Sequence, residues 1–252
     1  MQAEILLFYI LIFIFGIVIG SFVNVLILRL PVHENIAVTH SHCMSCNNRL
    51  RWYDLVPLFS WLFLGGKCRY CKSKISIQYP LVEFINGVGY VLIFLICGWS
   101  LSSILYSLCF SMLVAISVID WRTYEIPAGL NIAIFVLGIA QCVIDYKNWK
   151  LYLIGMACVS GFLFLLFLLT KGRGIGGGDI KLMFAAGLLL GWQKIILALM
   201  IGCIIGSIIH LIIMKVTDRG RMLAFGPYLS AGIYIAMLFG DPMITWYLGT
   251  LK

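Results

Sequence analysis

The chain is 252 residues long, 62% of them apolar and 11% charged, with a mean hydropathy of +1.05 and a net charge of +8. Soluble domains run at about 45–50% apolar and about 25% charged residues, so the composition excludes a soluble globular protein, a disordered chain and a disulfide-stapled secreted module. The apolar runs are far longer than the ~9–11 residues of a membrane β-strand and do not alternate, which excludes an outer-membrane barrel and leaves a polytopic helical membrane protein.

A membrane helix needs about 20 mostly apolar residues. The first such run covers about residues 4–28. No basic segment precedes it and no small-residue cleavage site follows, so it reads as a retained span rather than a signal peptide. Residues 29–78 form the one long polar stretch. Beyond it lie apolar runs at about 80–97, 101–119, 128–144, 151–170, 179–192, 195–214 and 227–248, which makes about eight transmembrane helices, the sixth of them short. With the N-terminus outside, 14 of the 18 basic residues fall in inside loops, among them Arg29, Arg49, Lys67, Lys74, Arg122, Lys171, Lys181, Lys215, Arg219 and Arg221. The outside connections hold Lys147, Lys150, Lys194 and Lys252. The positive-inside rule then puts residues 29–78 and the glycine-rich loop in the cytoplasm. The expected organisation is a first helix at 1–28, a small domain at 29–78 and a seven-helix membrane domain at 79–252. The basic charge reads as a topology signal, and no nucleic-acid partner is expected.

The nine cysteines are of two kinds. Cys97, Cys109, Cys142, Cys158 and Cys203 sit in apolar runs, where a free thiol packs as a small hydrophobe. Cys43, Cys46, Cys68 and Cys71 form two CxxC pairs with 21 residues between them. That is the two-knuckle spacing of a tetrahedral zinc site, slightly long in the gap. A segment of about 50 residues is too small to depend on a core alone, so a metal staple suits it. A closed shell of four cysteines leaves no open position, which makes the zinc structural. A thioredoxin-like redox pair is the weaker alternative, because no βαβ pattern surrounds either CxxC. His33, His40 and His42 read as solvated loop residues.

Charges in or at the edge of apolar spans are costly, and are functional candidates by default. Asp120 ends the third run and Asp179 opens the sixth, just after Gly174-Ile175-Gly176-Gly177-Gly178. Both fall at cytoplasmic helix ends, where they can face each other. The sixth run has 14 residues, roughly 21 Å of helix against a bilayer core of about 30 Å, so Asp179 is expected to be recessed. Gly176, Gly177 and Gly178 permit close backbone approach by an extended substrate. Two neighbouring carboxyls do not both ionise easily; they share a proton and hold a water between them. That is aspartyl-protease chemistry, and it needs no cofactor. Alone, either aspartate also reads as an interfacial residue or helix cap. Glu125 and Asp145 are weaker candidates, and Glu83 could line the same cavity.

Taken together, these residues resemble the bacterial type IV prepilin peptidases, membrane aspartyl proteases of the GxGD type. The likeness covers nearly the whole chain. It rests on Gly20-Ser21-Phe22-Val23-Asn24-Val25 with Arg29-Leu30-Pro31, the two CxxC pairs, Ser76-Ile77-Gln78-Tyr79-Pro80-Leu81-Val82-Glu83, Gly176-Gly177-Gly178-Asp179-Ile180-Lys181-Leu182 and Ala224-Phe225-Gly226-Pro227-Tyr228-Leu229. One departure stands out: after Ile126-Pro127 this family commonly carries Asp or Asn, and here stands Ala128. The resemblance implies Asp120 and Asp179 as the catalytic pair. It implies as substrate a type IV prepilin or pseudopilin, cut after a glycine between a basic leader and a membrane-held apolar helix. It also implies N-methylation of the new N-terminus with S-adenosylmethionine, location in the cytoplasmic (inner) membrane, and pilus or secretion assembly components as partners. No G-x-G-x-x-G turn in a βαβ unit marks a methyl-donor site. Gly20, Ser21, Asn24 and Glu83 are the small or polar residues to consider for it. The competing classes are a proton- or cation-coupled transporter using Asp120 and Asp179, and a zinc-knuckle assembly scaffold without chemistry.

Overall fold

The computed structural model describes residues 2–36, 38, 40–216 and 223–250; Arg219, Arg221 and Lys252, part of the charge pattern above, lie outside them. Among the described residues nine α-helices follow in order: α1 Gln2–Arg29, α2 Phe59–Phe63, α3 Gln78–Cys97, α4 Leu101–Thr123, α5 Ala128–Ile144, α6 Trp149–Leu169, α7 Gly177–Leu190, α8 Trp192–Val216 and α9 Gly226–Thr250. The only extended pairing among those residues is two isolated antiparallel bridges, His42 with Arg49 and Lys67 with Lys74. Helices are what apolar sequence must form where no water can satisfy the backbone. Each expected apolar run falls on one helix. Only six helical segments among the described residues, however, are long and apolar enough to cross a membrane, because α5 has 17 residues and α7 has 14.

The chain divides into two compact units, residues 1–92 and 93–252. In the first, α1 and α3 run antiparallel through small residues. Gly16 and Gly20 of α1 form a GxxxG step, the spacing that lets two helix backbones approach in a membrane. A Cβ on Gly16 would come within 2.8 Å of the Gly87 Cα, and one on Gly20 within 2.8 Å of the Glu83 Cα. Side-chain amides pin the register: Asn86 donates to the Gly16 carbonyl at 2.7 Å, and Asn24 to the Tyr79 carbonyl at 3.0 Å.

The second unit is built around α7. Its residues Leu182, Met183 and Ala185–Leu190 are buried, and α5, α6 and α8 pack against it. Phe184 of α7 stacks on Phe135 of α5 at 5.7 Å. A Cβ on Gly187 would overlap the Gly155 carbonyl of α6, so these helices meet backbone to backbone. Gly232 of α9 meets the Ala198 carbonyl of α8 in the same way. At Gly191 a φ of 81° closes α7 and turns the chain into α8. Gly187→Leu is therefore expected to prise α6 from α7. Overpacking of a close-packed core costs about 1–3 kcal/mol or more, and the variant should lose several degrees of melting temperature in detergent. Gly161→Leu, where a Cβ meets open space, should not.

Candidate active site and metal centre

Three chain ends in the second unit converge on Asp120. This residue lies in the last turn of α4, only 5% exposed. Tyr124 caps the helix in the left-handed conformation (φ 57°, ψ 27°), and its N–H donates to the Asp120 carbonyl at 2.9 Å. That cap swings residues 124–126 back over the helix end. Asp179 sits in the first turn of α7, where Gly176 precedes the helix, and is 8% exposed. The third element is the start of α9: the Gly226 N–H donates to Asp120 Oδ2 at 2.8 Å.

Asp120 and Asp179 line one open cavity of about 270 Å³ with Tyr124, Glu125, Ile126, Gly176, Gly177, Gly178 and Lys181. The glycines serve distinct ends. A Cβ on Gly178 would come within 3.0 Å of the Ile126 side chain, so its absence lets Ile126 lie against the first turn of α7. A Cβ on Gly176 would approach Asp179 Oδ2 to 3.0 Å. The arrangement offers two buried carboxyls on one cavity that opens to solvent. Every lining residue belongs to the second unit. Glu83, which could line the same cavity on the sequence reading, accepts the Leu58 N–H at 2.8 Å within the first unit.

Sequence reasoning singled out the 224–229 motif only by resemblance and gave Gly226 no role. Its link to Asp120 spans 106 positions, a pairing that no local pattern announces. A Cβ on Gly226 would meet Asp120 Oδ2 at 2.8 Å and the Asp120 Cγ at 3.1 Å. On the expectation that Asp120 is catalytic, Gly226→Ala should displace the carboxyl and lower kcat by about 10²-fold, the cost of misplacing a reacting group by about 1 Å. KM and melting temperature should stay near wild type, which steady-state kinetics and a thermal scan would check.

In the first unit, Cys43, Cys46, Cys68 and Cys71 bring their sulfurs within 4.8 Å of one another and could hold a metal ion. Cys43 Sγ and Cys71 Sγ are 3.8 Å apart. Tetrahedral bonds of about 2.3 Å place sulfurs about 3.8 Å apart, so the thiols fit such a shell. Both knuckles repeat one design. The residue four after the first cysteine, Asn47 or Lys72, has positive φ and donates its N–H back to that cysteine's carbonyl, at 2.9 and 3.0 Å. Backbone N–H groups of Ser45 and Cys46 aim at Cys43 Sγ and pull its thiol down to about 6. The Ser73 hydroxyl, 3.0 Å away, and its backbone lower Cys71. Such donors favour thiolate, the form that binds metal.

The Bacterial Peptidase A24 N-terminal domain model matches residues 14–97, and the Type IV leader peptidase family model matches residues 107–211. Prepilin leader peptidase/N-methyltransferase is the name of relatives from Aeromonas salmonicida strain A449, 32% identical over 97% of this chain and 95% of its own length, and from Bacillus subtilis strain 168, 32% identical over 94% and 97%. A third, from Burkholderia pseudomallei strain K96243, is 32% identical over 91% of this chain and 84% of its own length. No solved structure matches. With two family models along the chain, relatives aligned over nearly its full length, and two buried aspartates in one cavity, the chain belongs to the type IV prepilin leader peptidase/N-methyltransferase family.

Proposed function

We propose that this chain removes the leader of type IV prepilins or pseudopilins by aspartyl-protease chemistry and methylates the N-terminus it exposes. The observation that carries the peptidase reading is the shared cavity of Asp120 and Asp179 at the ends of two apolar helices. The ionised carboxyl takes a proton from a water held between the pair, and the oxygen attacks the scissile carbonyl. The protonated carboxyl gives its proton to the carbonyl oxygen, forming a tetrahedral diol. Collapse of the diol then breaks the C–N bond as the amine leaves with a proton from the pair. Gly176, Gly177 and Gly178 edge the cavity where an extended backbone would lie. The transporter reading lacks an inverted repeat, and the scaffold reading leaves two buried carboxyls unexplained.

The metal is zinc on this reading, held by Cys43, Cys46, Cys68 and Cys71 as a structural staple for residues 29–78, with the peptidase proper in residues 79–252. The relatives' name implies S-adenosylmethionine as methyl donor. Gly20 and Asn24 take part in packing α1 against α3, and Glu83 accepts the Leu58 N–H. No methyl-transfer step is routed through them. The charge pattern supports an N-terminus outside the cytoplasmic membrane, with metal domain and cavity inside.

The test is the intact mass of a prepilin co-expressed with this chain. Loss of the leader at a glycine, plus the mass of one methyl group, is expected. A prepilin left whole by the folded enzyme overturns the peptidase reading, and a cut but unmethylated pilin overturns the second activity.

A further inference from the structure

Residues 29–78 are polar as a whole, yet one strip inside them is apolar on its outer side. Trp52, Leu55, Val56, Phe59, Leu62 and Phe63 are all exposed, Trp52 by 79% and Phe63 by 87%. The inner side of the same strip is already engaged. Asp54 takes the Arg69 guanidinium at 2.7 Å, the Trp61 indole donates to the Ile75 carbonyl at 3.3 Å, and Gly66 lies under the Trp61 ring. The outer face is thus left over after the small domain has packed.

Its position is fixed by a bond to a membrane helix. Leu58 donates its N–H to Glu83 Oε2 at 2.8 Å. Glu83 stands five residues into α3, about 7.5 Å of rise from its first residue. The α3 residues around it, Leu81, Phe84 and Ile85, are themselves exposed. The bond secures a strained turn. Leu58 has φ 61° and ψ −54°, with the Phe59 N–H on the Pro57 carbonyl at 2.6 Å, a γ-turn geometry that persists only where its surroundings impose it. The turn starts α2 beside the outermost turns of a span, continuous with surface that faces lipid. The surrounding charge suits an anionic membrane surface. Residues 40–77 hold six basic side chains and one acidic one, Asp54, which Arg69 occupies.

We infer that residues 52–63 are a membrane-seated wedge: their apolar face lies in the headgroup region of the bilayer the chain spans, with Arg51, Lys67, Lys72 and Lys74 set toward anionic lipid. Interfacial segments bind by this pairing of an apolar face with a basic rim. The wedge gives the metal domain a third point of attachment, beside its two covalent ends, so that it lies against the membrane.

The test replaces Phe63 with p-benzoylphenylalanine in the full chain, reconstituted in vesicles containing phosphatidylglycerol and illuminated. Mass spectrometry then reads the adducts. Met44, 77% exposed beside Cys43, serves as the comparison site outside the strip, and Phe162 of α6, 52% exposed, as the site on a membrane-spanning helix. Lipid adducts at position 63 should approach those at 162 and exceed those at 44 by about tenfold, as for a buried interfacial side chain. Adducts at 63 no more frequent than at 44, or adducts to added prepilin or to a second copy in place of lipid, overturn the inference. Strong lipid adducts at 162 in the same vesicles show that the chain was inserted, so a negative at 63 counts against the wedge alone.

Discussion

Asp120→Asn and Asp179→Asn should each abolish leader removal, by about 10⁴-fold or more in kcat, with KM and melting temperature little changed. The factor follows from the chemistry, since a loss of 10⁴ corresponds to about 5.4 kcal/mol of transition-state stabilisation. An amide can neither take a proton from water nor supply one to a carbonyl, so one substitution disables the pair. The fold should not notice. The Asn oxygen can still accept the Gly226 N–H at position 120, and both sites are edges of an open cavity rather than packed core. The double variant should be no slower than either single one, because groups that act as a unit lose their contribution once. Single-turnover cleavage of a purified prepilin in detergent would read this. Equal cleavage by wild type and either variant would end the proposed mechanism. Multiplying losses would mean that the two carboxyls act separately.

On the proposed zinc site, removing the metal should have the second largest effect, confined to residues 40–75. Structural zinc in small Cys-rich folds contributes apparent binding energies of about 10–16 kcal/mol at pH 7. These residues have little else to hold them. Cys43 and Cys68 are the only buried apolar side chains there, and the extended pairing amounts to two bridges. Chelation, or Cys68→Ser, should open Arg49, Lys67, Arg69 and Lys72 to trypsin at rates raised by tenfold or more. Far-UV helicity should fall only slightly, because α1 and α3–α9 owe nothing to the thiols. Metal analysis of the untreated protein should give one zinc per chain. Thiols that cycle through disulfide with no metal bound would instead support the redox alternative.

The sequence made the helices and the thiols legible for a simple reason. Both signals are local: an apolar run is forced to be helical in lipid, and a CxxC pair brings two sulfurs together whatever surrounds it. The glycine run before Asp179 was legible only in part: Gly176 precedes the helix, but Gly177 and Gly178 already belong to its first turn. Contacts between distant residues were not. Gly226 reaches Asp120 across 106 positions, and the fit of Gly155 to Gly187 depends on how α6 and α7 cross. Gly16 and Gly20 carried a readable GxxxG signal that passed unused. The count of eight spans rested on apolar length. The sixth run was already legible as short, and α7 has 14 residues; α5, with 17, is the other helix among the described residues that falls short of a full span. The polar average of residues 29–78 concealed an apolar strip that appears only when inner and outer faces are told apart.

The enclosure of α7 bears on how the enzyme tolerates different membranes. Lipid thickness acts on a protein through hydrophobic mismatch, and long exposed helices answer it by tilting. Of the buried stretch in α7, Phe184 alone shows much surface, so acyl chains have almost no grip on it. Its depth is set by the glycine contact with α6 and by the aromatic stack on α5. In thinner or thicker bilayers the outer helices would lean while Asp179 kept its place relative to its neighbours. The cavity that Asp179 lines is thereby expected to respond little to bilayer thickness.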